Sequence, residues 1–121
     1  MKPRIFVTVV CMPVLLAACK KTNETGVQLR VQNSTSQNFT EIITNGKSFR
    51  GVSPGAVTSY QSFDRIVDAP FVILINGADT AYAGVIYYDP PINYIENGNY
   101  TLDVFEDTST YYDYNCKYIK N

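Results

Sequence analysis

The side chains able to do chemistry are few here, and their types exclude more than they permit. No histidine occurs among the 121 residues. That removes the commonest general base, the commonest zinc ligand and every Ser-His or Cys-His nucleophile pair. Carboxylates remain, and Asp103, Glu106, Asp107 and Asp113 gather near one expected hairpin. Two such acids about 5–10 Å apart can hydrolyse a glycoside, whereas an acidic loop in solvent needs no function at all. The oxygens of Asp107-Thr108-Ser109-Thr110 suit calcium, yet their spacing follows no calcium-loop signature. No catalytic residue, metal ligand or cofactor site is expected.

Aromatic and sulfur groups are the other candidates. Ten tyrosines and no tryptophan give many rings with polar tips, and sugars stack on such rings. Tyr82, Tyr87, Tyr88, Tyr94, Tyr111 and Tyr112 are the candidate stacking residues. The competing reading is that strands favour tyrosine at half-buried positions. Cys116 alternates with Tyr112, Tyr114 and Tyr118, opposite Asp113, Asn115 and Lys117, so it is expected on a buried face with its thiol inert. Asp79-Thr80-Ala81 resembles the O-glycosylation acceptor of exported Bacteroidetes-type proteins, which makes Thr80 a candidate modification site beside an expected turn.

The elements that must position these groups begin after an export leader. Met-Lys-Pro-Arg carries two positive charges, and Ile5 to Leu16 is apolar apart from Thr8 and Pro13. This is a secretory signal pattern. The run meets Lys20-Lys21 too soon for the roughly 20 apolar residues that a membrane span requires. Leu16-Ala17-Ala18-Cys19 resembles the lipobox of bacterial lipoproteins. The resemblance implies cleavage between Ala18 and Cys19 and a diacylglycerol thioether on Cys19, with Lys20 pointing to the outer membrane; which face it occupies stays open. Acyl chains contribute about 0.8 kcal/mol per buried methylene, so two or more hold a protein firmly. The expected organisation is a signal peptide at 1–18, a lipidated tether at 19–26 and one domain at 27–121.

That domain reads as all-β. Val27, Leu29 and Val31 alternate with Gln28, Arg30 and Gln32, the period of a half-buried strand. Further strands are expected at Phe39 to Thr44, through Phe49 and Val52 after the hairpin signal Asn45-Gly46, and at Val57 to Phe63. Phe71 to Ile75 is apolar throughout and is expected to be central and covered on both faces, turning at Asn76-Gly77 into Ala81 to Tyr88. Tyr100 to Phe105 and Tyr111 to Ile119 complete a single antiparallel β-sandwich of about seven or eight strands. Asn97-Gly98-Asn99-Tyr100-Thr101 resembles the strand opening of immunoglobulin-like and transthyretin-like sandwiches, which implies that the Tyr100 hydroxyl ties a corner. The turn and strand pattern from Val31 to Tyr60 is similar to that of small uncharacterised Bacteroidetes-type lipoproteins, which implies no particular activity.

Charge narrows the partners. The chain holds 10 Lys and Arg against 11 Asp and Glu, and loss of Lys2 and Arg4 with the leader makes the mature part more acidic. Nucleic acid is not an expected ligand, because its binding rests on clustered cations. The reading that fits is a non-enzymatic, membrane-anchored envelope lipoprotein, a binding module for a protein or polysaccharide. A carbohydrate-binding or carbohydrate-active domain using Tyr and Asp/Glu, and a structural envelope component, are the alternatives.

Overall fold

The period-two alternation at the start of the domain becomes β1 (Gly26–Ser34), whose Val27, Leu29, Val31 and Asn33 are buried while the residues between them are half exposed. The computed structural model describes residues 26–84 and 92–121. The expected signal peptide, the lipidated Cys19, the tether up to residue 25, and Tyr87 and Tyr88 lie outside the described residues. Nine further strands follow: β2 (Phe39–Thr44), β3 (Lys47–Val52), β4 (Gln61–Phe63), β5 (Ile66–Val67), β6 (Phe71–Asn76), β7 (Asp79–Gly84), β8 (Tyr94–Ile95), β9 (Asn97–Glu106) and β10 (Tyr114–Lys120). No helix occurs among the described residues.

Two four-stranded sheets form an all-β sandwich, the first in the order β10-β9-β1-β4 and the second β3-β2-β6-β7, while β5 pairs with β8 alone. Immunoglobulin domains keep their first two strands in one sheet. Here β1 and β2 lie in opposite sheets. The pairings are antiparallel with one exception: β1 runs parallel to β9, from Gly26 beside Asn97 to Ser34 beside Phe105. Strand alternation cannot reveal that exception, since it reports faces and not directions.

Leu29 and Val31 of β1 and Leu102 and Val104 of β9 meet Ile42 of β2 and Val72 and Leu74 of β6 in a core closed to solvent. Phe49 stacks on Phe63 at 6.5 Å across the β3–β4 side, and Phe39 meets Tyr114 edge-on at 5.8 Å across the β2–β10 side. Fully burying such a side chain contributes about 1.5–3 kcal/mol. A kink aligns the phenylalanines: Phe39 and Ile42 both face inward although three apart, as do Val52 and Phe49 opposite, and Gly51 adopts φ +62° between them.

Turn chemistry sets the register. Asn45 and Gly46 both have positive φ, 51° and 82°, and join Thr44 to Lys47 in the expected two-residue hairpin. The β6–β7 turn is displaced by one from expectation: Asn76 pairs with Asp79, so the loop is Gly77-Ala78, with Gly77 at φ +61° in the first loop position. The extended run at 57–63 narrows to β4, because Thr58 accepts the Val31 N–H on its hydroxyl and bulges the ladder between the Gln32–Val57 bridge and Gln61. The segment 64–70 that connects β4 to β6 contains β5. Tyr111 and Tyr112 belong to the β9–β10 loop and not to the strand.

Two asparagines complete the frame. Fully buried Asn33 donates to Gln37 O at 2.7 Å and Val52 O at 3.0 Å, and accepts from the Thr35 N–H and hydroxyl. Asn45 accepts the Val67 N–H at 2.8 Å and donates to the Tyr118 hydroxyl, which donates in turn to Val67 O. The hydroxyl that ties the sheets is thus that of Tyr118, whereas Tyr100 packs edge-on against the Tyr118 ring at 6.2 Å. Tyr100 packs against the core from β9, and its hydroxyl makes no hydrogen bond among the described residues.

Candidate interaction surface

Each sheet has an inner face in the core and an outer one, and the two outer faces differ in chemistry. On the first sheet the outward residues are Gln28, Arg30 and Gln32 of β1, Thr101, Asp103 and Phe105 of β9, and Asn115, Lys117 and Ile119 of β10, most of them polar. The polar ones satisfy one another. Gln28 donates to Ser62, Arg30 Nε to Thr101 at 3.0 Å, and Ser34 to Asp103 at 2.5 Å, which leaves Thr101 and Asp103 buried beneath their neighbours.

The outer face of the second sheet carries a continuous apolar strip, bordered by Glu41, Ser48, Arg50 and Thr80. Ile43 of β2, Ile73 of β6 and Tyr82 of β7 lie side by side in one row, and Ile75 and Phe71 flank it. All five are half-buried. The expectation that Phe71 to Ile75 is covered on both faces is corrected: Val72 and Leu74 are in the core while Phe71, Ile73 and Ile75 face outward. Phe71 stacks on Tyr82 at 5.9 Å, Tyr112 meets Tyr82 edge-on at 5.1 Å, and Tyr111 meets Tyr112 at 4.8 Å. The apolar strip therefore runs from β2 across the sheet to the β9–β10 loop.

That loop is held from within. Asp107 accepts the Ser109 N–H and hydroxyl and the Asn115 amide, and the Thr110 hydroxyl lies 3.0 Å from both Asp107 O and Tyr114 O, which share its one proton. The Ser109 hydroxyl, then its N–H, then Asn115 hold the Asp107 carboxyl below its ordinary range. Its oxygens thus build the turn. Tyr111 is 90% exposed and Tyr112 45%. A fixed loop that shows rings to water is the usual form of a recognition element.

Of the candidate stacking residues, Tyr82, Tyr111 and Tyr112 come together, Tyr94 stands apart beneath the Arg65 guanidinium at 3.8 Å, and Tyr87 and Tyr88 lie outside the described residues. The rings are set at 64° and 84°, steps and not a flat platform. Thr80 is exposed on β7 opposite Ile75, next to the Gly77-Ala78 turn. Asp103 faces its own β-strand neighbours, and among the described residues no group of three His, Cys, Asp or Glu side chains is placed to hold a metal.

Tyr114, Cys116 and Tyr118 of β10 face the core side. Burial pushes the Cys116 thiol up to about 12, and burial likewise raises Tyr118 to about 12 against the lowering effect of its bond from Asn45. A thiol so shielded is a poor nucleophile. Cys116 and Tyr118 also floor a shallow groove of about 610 Å³ that Asp68, Lys117 and Lys120 rim. The apolar strip was hidden in the sequence, since a run such as Phe71-Val72-Ile73-Leu74-Ile75 does not say which side is covered. No protein-family model, curated protein or solved structure matches this chain.

Proposed function

We propose that the chain is a non-enzymatic envelope lipoprotein, anchored through lipid on Cys19, whose sandwich binds a partner protein along the apolar strip of the second sheet. The observation that carries this reading is the continuity of one apolar strip: Ile43, Ile73, Ile75, Phe71 and Tyr82 adjoin one another outward, while the apolar residues on the first sheet's outer side, Val57, Phe105 and Ile119, are set singly among polar groups that bond one another. Covering such a strip gains roughly 25 cal/mol per Å² of apolar surface, and clustered aromatic rings are the common anchors of protein interfaces. The anchor rests on the likeness of Leu16-Ala17-Ala18-Cys19 to a lipobox, with Lys20 favouring the outer membrane.

Crosslinking in intact cells followed by co-purification tests the surface. Ile73→Glu is expected to reduce recovery of the partner at least tenfold with an unchanged melting temperature, and Gln32→Glu on the polar side to leave recovery as it is. Equal recovery from both variants would sink the assignment of the face. Detergent partitioning tests the anchor, with Cys19→Ser expected to move the protein into the aqueous phase.

A further inference from the structure

We propose that Tyr111 and Tyr112 form an aromatic corner that takes a lysine or arginine side chain of the partner protein. This rests on the partner-binding reading and names the chemistry at one end of its surface. The two rings stand at 84° with centroids 4.8 Å apart, and Tyr112 is braced by Tyr82. The pair is edge-to-face, and ring faces carry negative potential, so the face area that the neighbouring ring's edge does not cover attracts a cation beside the junction.

The molecule already uses this chemistry on itself. Arg30 covers the Tyr60 ring, Lys47 covers Phe63, Arg65 covers Tyr94 and Lys117 reaches Phe105, at 3.8–5.5 Å from the centroids. Tyr111 is more exposed than any of these, and among the described residues no cation lies over it or over Tyr112. The surroundings are acidic as well: Glu106, Asp107 and Asp113 flank the pair, and no Lys or Arg occurs between Phe105 and Cys116. Asp107 is committed to its turn and one oxygen of Glu106 to Ser36, while the Asp113 carboxylate makes no hydrogen bond among the described residues. Tyr114, the next ring along, is raised by burial and then by the charges of Glu106 and Asp113, in keeping with that acidic setting.

With the anchor at Cys19, the strand topology favours a protein over the headgroups of the anchoring bilayer as the source of the cation. The chain arrives at Gly26, and β1 runs parallel to β9 over its whole length, so the loop after Glu106 sits at the opposite pole. Nine residues of strand separate the two poles by roughly 26 Å at about 3.3 Å per residue.

The test uses the full lipoprotein in phosphatidylglycerol-free nanodiscs, titrated with acetyl-Gly-Arg-Gly-Arg-Gly-Arg-amide and with its Glu counterpart, and read by tyrosine emission, since the chain has no tryptophan. Saturable binding of the Arg peptide alone is expected. Tyr111→Ala with Tyr112→Ala should weaken it at least tenfold, Glu106→Gln with Asp113→Asn should weaken it several-fold and flatten its salt dependence, and Tyr94→Ala should leave it unchanged. If the double alanine variant does not fold, Tyr111→Ala alone serves, because that ring is 90% exposed. Absence of saturation, undiminished binding by the Tyr111 variant, or preference for phosphatidylcholine vesicles over the peptide overturns the corner. Partner recovery that still depends on Ile73 without peptide binding rejects the corner alone; peptide binding without Ile73-dependent recovery rejects the larger surface alone.

Discussion

Across the first sheet, Arg30 bonds Thr101 and lies over Tyr60, Asn121 donates to Tyr60 and Thr101, and Ser34 donates to Asp103. Across the second, Ile43, Ile73 and Tyr82 stand in a row with Ile75 and Phe71 beside them. Both sheets meet the same demand on their inner sides, an apolar layer sealed against the other. Their outer sides are free of that demand. Polar groups that bond one another gain little from a partner, because any new contact replaces an existing hydrogen bond of similar strength. Apolar groups held at half exposure have no such competitor, so the second sheet is where added cover is favourable.

The comparison is sharpest at β6, where adjacent residues face opposite ways. Leu74→Ala should destabilise the domain by about 3 kcal/mol, since it opens a cavity between the sheets, while Ile73→Ala on the outward side should cost about 1 kcal/mol or less. Urea denaturation of the two variants decides it, and equal losses would mean that the outer face is covered in the free protein. On the first sheet, Asn33→Ala should cost about 2 kcal/mol, because Val52 O, Gln37 O and the Thr35 N–H lose a buried partner; a change in midpoint with an unchanged m-value is the expected signature.

Alkaline pH separates the sides of β10. Cys116 and Tyr118 face inward with folded pKa values raised to about 12, from 9.0 and 10.0. A raised value means that the folded state favours the protonated form, so this stability is present below the unfolded pKa and is lost as pH rises through the folded one. Thermal melts should fall between about pH 9 and 12, and Cys116→Ala should delay the onset toward 10. Loss that begins at the same pH in both proteins would assign it elsewhere. The smallest effect concerns Arg50 and Glu41, an ion pair at 3.9 Å whose arginine side chain is 79% exposed: Arg50→Ala should change stability by less than about 0.5 kcal/mol in the same denaturation assay.

Particular residues show how far the sequence could be read. The alternation of Val27, Leu29 and Val31 and the Asn45-Gly46 turn appear in the structure as they are written, because both signals are local. Asn33 reads as a turn former, yet its partners at Gln37 and Val52 are supplied by later segments. Tyr100 carries the motif of a corner tyrosine, and Tyr118 does the work, since only the packing of β10 beside the Asn45 hairpin brings its hydroxyl to Val67. Of the stacking candidates, Tyr82 and Tyr112 are thirty positions apart in the chain and meet through the loop that Asp107 shapes.

By itself the sequence determined the all-β class, the positions of most strands and hairpins, the absence of histidine chemistry and the pattern from which a lipid anchor is inferred. These follow from side-chain type and spacing over a few residues, where steric preference and solvent alone decide. Only the tertiary structure decided that β1 pairs parallel with β9, that β6 bares its isoleucines on one side, and that Tyr111 and Tyr112 stand at a right angle far from Gly26. Those features depend on which distant segments lie against one another, and burial is a property of the neighbour as much as of the residue.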